Sequence, residues 1–434
     1  MTDGLASRRS AAHAYMAIMS QRKTLESALE HTRGYREMEA RDRAFARAIL
    51  ATTFRRHGQT LAVLSKLLAK PLEETPEPAV ALLVTGATQL LWMDGAPHAV
   101  VSTTVALAEE NKAAFGLKGL INAVLRKVDK EGRDLAARTA PRDNLPDWMA
   151  RAWRKAYGPG ALARMTNVLM DPPPLDITVK DPAEREKWAE ALHADILPTG
   201  TLRRREIGDV TQLPGYRDGT WWVQDAAAAI PATLLGVKER DHVLDMCAAP
   251  GGKTLQLSAL GARVTAIDSS AGRLKQLRDN LGRTHLRANV VAEDGRRYKP
   301  KGPADAILLD APCTATGTLR RHPEAAQIKK PGQVAKMVKL QLELANAAVR
   351  FLRPGGTLVL CTCSLQPEEG EGLAAELLKR QSELVVRPIQ DGEVPGLEDA
   401  ITSEGWLRLT PALWAEKGGL DGFFIARFEK RISA

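Results

Sequence analysis

The stretch VLDMCAAPGGKTLQLSAL, from Val243 to Leu260, decides the fold of the second half of the chain. Val243–Met246 is a short apolar run of strand type, and apolar residues then recur at helical spacing from Leu255. Between them, Gly251 and Gly252 allow a tight turn and a close approach of the backbone to a ligand. The helix N-terminus that follows offers free N–H groups to an anionic or polar ligand. Two common nucleotide loops are excluded. The phosphate loop G-x-x-x-x-G-K-[ST] ends correctly at Gly252, Lys253 and Thr254, but its first glycine falls on Cys247. The dinucleotide fingerprint G-x-G-x-x-G is absent. A site for an adenosine-type cofactor, with a loop of its own, is what remains.

Outward from this stretch, short apolar runs alternate with helical segments. VTAID ends at Asp268, NVVA at Ala292, AILLD at Asp310 and TLVLCT at Thr362, and GFFIARFEK reads as a last strand. This pattern predicts a parallel sheet with crossover helices over residues 236–434, an α/β, Rossmann-like domain. Residues 1–140 read as all-helical. Asp42 is a plausible helix start, Pro76 and Pro78 open an apolar helix over Val80–Trp92, and Gly119–Val128 reads as a short helix. Residues 141–235 are mixed. After the break Pro172–Pro174, LDITVK and TWWVQ alternate like strands, which suggests a small α+β connecting domain. The expectation is thus a multidomain chain: all-α, small α+β, then α/β.

Composition narrows the function classes. The 434 residues exceed one ordinary core. A net charge of +9 tilts towards a polyanionic partner. The four cysteines (Cys247, Cys313, Cys361, Cys363) are too few for a disulfide scaffold and lack the paired C-x-x-C of a zinc site, so no metal is expected. A reducing cytoplasmic home is the simplest reading, with no secretory signal or membrane span evident and a monomer as the default.

Two strands end in cysteine loops, LLDAPCTATGTLRRHPE over Leu308–Glu324 and LVLCTCSLQPEE over Leu358–Glu369. Both loops leave at the carboxyl edge, where open α/β sheets bind ligands. Carbon 5 of cytosine is a poor nucleophile. A thiolate added at carbon 6 makes an enamine-like adduct that accepts a methyl group at carbon 5. A carboxylate such as Asp310 near ring nitrogen 3 stabilises the adduct, and a second thiol or base helps to remove the carbon 5 proton. Arg320, Arg321 and His322 follow Cys313 and are candidates for an electropositive setting. Other readings weigh against single residues. Cys361 and Cys247 read as core thiols, Asp268 as a helix cap before Ser269 and Ser270, Asp310 as a turn residue, and His322 as a surface residue.

The blocks CAAPGGKT, DAPCTATGTLRRHPE and TCSLQPEE resemble those of the RsmB/NOP family of RNA (cytosine-5) methyltransferases. The helical start is similar to a NusB-like RNA-binding domain, on RDRAFARAIL (Arg41–Leu50) and GLINAVLRKV (Gly119–Val128). The resemblance implies S-adenosyl-L-methionine as cofactor and methylation of a cytosine in small-subunit (16S) ribosomal RNA through a covalent cysteine adduct. It implies Cys363 as nucleophile and Cys313 as the cysteine that assists release. It implies a cofactor loop of Cys247, Ala248, Ala249, Pro250, Gly251, Gly252 and Lys253, and cofactor-side carboxylates Asp268, Asp294 and Asp310. Thr314-Ala315 stands where the family usually has Ser-Gly, Gln327–Lys330 lacks a tryptophan often seen there, and Ala226–Ala229 replaces a more polar run. A transfer-RNA or DNA cytosine methyltransferase, or a non-catalytic RNA-binding assembly factor, are the rival readings. The target base must be unstacked. Arg203, Arg204 and Arg205, with Arg320 and Arg321, are candidate phosphate contacts or merely solvated faces.

Overall fold

The computed structural model describes residues 4–206 and 208–432. They divide into two compact units, Met1–Asp171 with Leu319–Lys330, and Pro172–Thr318 with Pro331–Ala434. The stretch 141–235 therefore divides between the two, and the small sheet shares a unit with the large one.

The first unit is helical. Glu77–Trp92 is its central helix, buried along nearly its whole length from Ala79 to Leu91, with Pro78 in the first turn where a missing N–H costs nothing. Ala40–Arg55 begins two residues before Asp42, which sits in the first turn and complements the helix dipole. Lys118–Ala136 runs past the expected Val128, because Gly132 and Ala136 extend the buried stripe of Ile121, Val124, Leu125 and Val128.

Leu319–Lys330 belongs to this helical unit through specific bonds. The Arg55 guanidinium donates to the Arg320 carbonyl at 3.0 Å, and the Leu25 N–H donates to Glu324 at 3.2 Å. Burial brings Arg55 down to about 10. Arg320 is itself fully buried, which corrects its reading as a phosphate contact.

In the second unit, strands β1 (Leu175–Val179), β2 (Asp195–Ile196), β3 (Leu202–Arg204) and β4 (Trp221–Val223) form an antiparallel sheet in the order β2-β3-β1-β4. Arg203 does not face solvent. Its guanidinium makes two 2.7 Å bonds to Asp176 inside the protein and donates to the carbonyl of Gly419 at 2.8 Å. Asp176 also accepts the Ala226 N–H at 2.9 Å, so one ion pair joins β1 and β3 to the helix Ala226–Leu234 and to the segment before the last strand. The phosphate reading of Arg203 is thus corrected: it is a buried structural pair, and only Arg204 and Arg205 of that run keep any exposure.

The large sheet contains β5 (His242–Met246), β6 (Arg263–Asp268), β7 (Asn289–Ala292), β8 (Ala304–Asp310), β9 (Leu352–Thr362), β10 (Leu384–Val386), β11 (Leu407–Leu409) and β12 (Phe423–Lys430). Its order is β10-β12-β9-β8-β5-β6-β7, with β11 on β12. Strands β5 to β9 pair in parallel, and β12 returns antiparallel beside β9. Both faces are buried. Val243, Leu308, Val359 and Ile425 pack on one side, and Leu244, Ile307, Leu358 and Phe424 on the other. Burial on two sides is why these strands read as continuous apolar runs rather than alternating ones. From β5 the chain crosses to β6 on one flank, while β8 lies on the other, so a topological switch point opens at the carboxyl ends of β5 and β8. Among the described residues no helix is long and apolar enough to cross a membrane.

Candidate active site at the carboxyl edge of the sheet

The loop after β5 has the backbone the sequence predicts. Gly251 adopts φ +111°, and a Cβ there would stand 2.9 Å from Leu277 Cγ. A side chain at Gly252 would press on Gln224, so bare backbone approaches the edge at both positions. Cys247 takes a left-handed φ of 62°, and its thiol is pushed up by burial and by Asp268 and Asp310. The helix Gly252–Ala259 starts from this turn. Behind it, Asp245 is fully buried and accepts a 2.5 Å bond from the Thr254 hydroxyl, while its Oδ1 has no partner. Burial raises the Asp245 carboxyl to about 7.

Asp268, at the end of β6, is both holder and cap. One oxygen accepts the Ala249 N–H at 3.2 Å and the other accepts the Ser270 N–H at 2.8 Å. It fixes the cofactor loop to the next helix, and Arg273 stands 3.6 Å away. Asp294, after β7, is held by Arg296, whose hydrogen bonds draw its carboxyl below the usual range. Arg296 continues to Glu343 at 2.6 Å. At the end of β8, Asp310 accepts a 2.7 Å bond from Lys253, the last residue of the loop motif. Burial works against the Lys253 charge, but Asp310 outweighs it and holds the ammonium above its ordinary value. Lys253 also stands 5.1 Å from the centre of the Phe423 ring. These elements fit an adenosine-type methyl donor: exposed backbone in the turn, and carboxylates after three successive strand ends.

Strands β8 and β9 are neighbours, so their loops meet. The sulfurs of Cys313 and Cys363 lie 3.5 Å apart. The bond to Cys363, together with burial, pushes the Cys313 thiol well up. A thiol so placed keeps its proton, and either sulfur can be the donor of the pair. Gly317 makes the approach possible, because a Cβ there would come within 2.0 Å of the Gly422 carbonyl oxygen and 2.8 Å of that of Cys363. Cys361 is buried as a core thiol should be, but its sulfur also reaches Asp310 at 3.6 Å, a contact that sequence reasoning did not anticipate.

Glu369 was not anticipated either. Fully buried, it accepts the Thr314 N–H at 2.9 Å, the Gln341 amide at 3.0 Å and the Ser364 hydroxyl at 2.6 Å, and a further bond from the Thr314 hydroxyl. Thr314 and Ser364 are the residues directly after Cys313 and Cys363, so one carboxylate holds both cysteine loops. Thr314 gives Glu369 two bonds, from its backbone N–H and its hydroxyl, and a serine would supply the same two groups. Arg320, Arg321 and His322, read as electropositive neighbours of Cys313, belong to the helical unit.

Comparison with known proteins follows the same division. A family described as 16S rRNA methyltransferase RsmB/F matches residues 232–429, and the NusB family matches residues 5–130. The chain is 32% identical over 440 residues to a protein named ribosomal RNA small subunit methyltransferase B from Enterobacter sp. (strain 638), covering 98% of each chain. Among solved structures, the crystal structure of a protein named PH0851 shares the fold with a TM-score of 0.77 at 22% identity, covering 98% of this chain and 99% of that one. A methyltransferase homolog protein from Pyrococcus horikoshii is 26% identical, with a TM-score of 0.56, over 66% of this chain and 95% of that one.

Two outcomes follow from this geometry. Asp245 holds its proton more tightly folded (about 7) than unfolded (3.8), so its contribution to stability is full below pH 3.8 and is lost as pH rises to about 7. Asp245→Asn should flatten the fall in thermal midpoint across that window. Removing Glu369 leaves four donors unsatisfied and frees both loops. Glu369→Ala should alkylate faster with iodoacetamide at Cys313 and Cys363 than the wild type, while unchanged rates would show that the carboxylate does not hold the thiols.

Proposed function

Because the chain belongs to the RsmB/F family of 16S rRNA methyltransferases, we propose that it methylates carbon 5 of a cytosine in small-subunit ribosomal RNA through a transient cysteine adduct. The observation that carries this reading is the 3.5 Å pair of thiols at the carboxyl ends of adjacent strands, beside the Lys253–Asp310 pair. The methyl donor is S-adenosyl-L-methionine, which supplies an electrophilic methyl group. Cys247, Ala248, Ala249, Pro250, Gly251, Gly252 and Lys253 would line it, with Asp268, Asp294 and Asp310 around the polar parts. Asp268 would hold the ribose side while still bonded to the loop backbone.

The roles of the chain's own residues follow from their proton states. Cys363 adds through sulfur to carbon 6 of the cytosine, its thiol proton passes to ring nitrogen 3, and the ring electron pair moves towards carbon 5. Asp310, paired with Lys253, would face ring nitrogen 3 and hold the proton that nitrogen carries in the adduct. Carbon 5 gains the methyl group and then loses its proton to a water molecule, and the returning electron pair expels Cys363 as thiolate. Cys313, which retains its proton in the resting pair, gives that proton to the departing Cys363 sulfur and takes the nitrogen 3 proton in exchange, so both thiols end as they began. The basic balance of the chain suits an RNA partner.

The test uses unmodified small-subunit ribosomal RNA and labelled S-adenosyl-L-methionine. Cys363→Ala should lose methyl transfer by at least a thousand-fold, as loss of a nucleophile does in enzymes that depend on one. Cys313→Ala should accumulate a protein–RNA adduct on denaturing gels. Transfer that survives Cys363→Ala overturns the nucleophile, and transfer to transfer RNA alone overturns the substrate.

A further inference from the structure

A cavity of about 570 Å³ lies away from the thiols, between the small sheet and the helix Ala226–Leu234. It borders Gly236 and Val237, which lead into β5, and Ala259 and Leu260, which end the helix before β6. It therefore sits at the amino ends of β5 and β6, opposite the edge that carries the proposed chemistry. Its volume is that of a small-molecule site, about 300–1,000 Å³.

Its polar lining is unusual in what it lacks. The Arg185 side chain forms no hydrogen bond or ion pair with any described residue, and its Nε is buried without a partner. Its guanidinium stands against Gly200, where a Cβ would approach Cζ to 2.6 Å. Two further buried atoms without partners, the hydroxyls of Thr178 and Thr199, line the same cavity. Buried polar atoms are nearly always paired, so three orphans in one cavity point to a missing ligand rather than to chance. The cavity is also electropositive. The Lys180 ammonium donates to the Thr284 carbonyl, at 2.8 Å, while Glu393, the carboxylate of the lining, is held by two bonds from Arg427 at 2.6 and 2.7 Å. The orphans can all donate, and the guanidinium fork matches phosphate geometry. The lining also includes the apolar Ile230, Leu234 and the half-exposed Leu260.

We infer that this cavity binds a nucleotide, with its phosphate on Arg185, Thr178 and Thr199 and its nucleoside along Ile230, Leu234 and Leu260. A carboxylate offers two oxygens to this many donors, and an inorganic ion leaves the apolar lining empty. The nucleotide comes either free or as one unit of an RNA strand. The inference is independent of the methyl-transfer reading, since neither the thiols nor the cofactor loop lines the cavity.

The experiment titrates guanosine 5′-monophosphate into the full chain by calorimetry, with the cofactor site filled by saturating S-adenosylhomocysteine. The wild type should bind one equivalent saturably, and guanosine should bind at least ten-fold more weakly. Arg185→Gln should lose at least ten-fold in affinity and Thr199→Val a few-fold, with S-adenosylhomocysteine affinity unchanged in both. Displacement of the nucleotide by a short RNA, with the same loss in Arg185→Gln, identifies RNA as the source, and no displacement identifies the free nucleotide. Absence of saturable binding to the wild type, or equal binding by wild type and both variants, overturns the inference.

Discussion

The carboxylate of Glu369 is the constraint on which the site depends. It lies beyond the loop that carries Cys363, yet it binds the backbone and hydroxyl of Thr314 in the loop that carries Cys313. A buried carboxylate is costly unless its acceptor capacity is used. Here four donors use it, from two cysteine loops and from Gln341 on the helix Gly332–Phe351. The same atoms that satisfy the charge hold two sulfurs at 3.5 Å without joining them. Stability and geometry have one cause at this point.

A second constraint is set by sheet order. Parallel pairing of β8 with β5 and β9 brings Lys253, Asp310, Cys361 and the two other thiols to one edge, although they lie more than one hundred residues apart at the extremes. Asp310 receives Lys253 on one oxygen and the Cys361 thiol on the other. Burial pushes the Cys361 thiol up beside this pair, and the bond to Cys363 together with burial pushes up that of Cys313.

Much of this was legible locally. Strand ends with glycines or cysteines just beyond them marked the edge, and LDITV and TWWV were recognisable strands. The apolar runs gave the parallel sheet because both faces are buried. What escaped was long-range. Arg203 looked like one of three surface arginines, and its partner Asp176 lies in another strand. The signal available was a lone acid inside the otherwise apolar LDITV, which needs a buried cation. Arg320 looked basic and available, yet Leu319–Lys330 belongs to the helical unit, held by Arg55 and Leu25 from far away in the sequence. Glu369 drew no reading of its own, since nothing beside it in the sequence reveals Thr314. The length of Lys118–Ala136 was underestimated because small buried residues, Gly132 and Ala136, carry its stripe.

The central claim is that Cys363 is the atom that joins the RNA. The most direct measurement is peptide mass mapping of the covalent product formed on small-subunit RNA containing 5-fluorocytidine, where fluorine at carbon 5 blocks the proton loss needed for release. The account predicts a methylated nucleotide attached to the peptide at Cys363. Attachment at Cys313, or turnover of this RNA without any adduct, would contradict it.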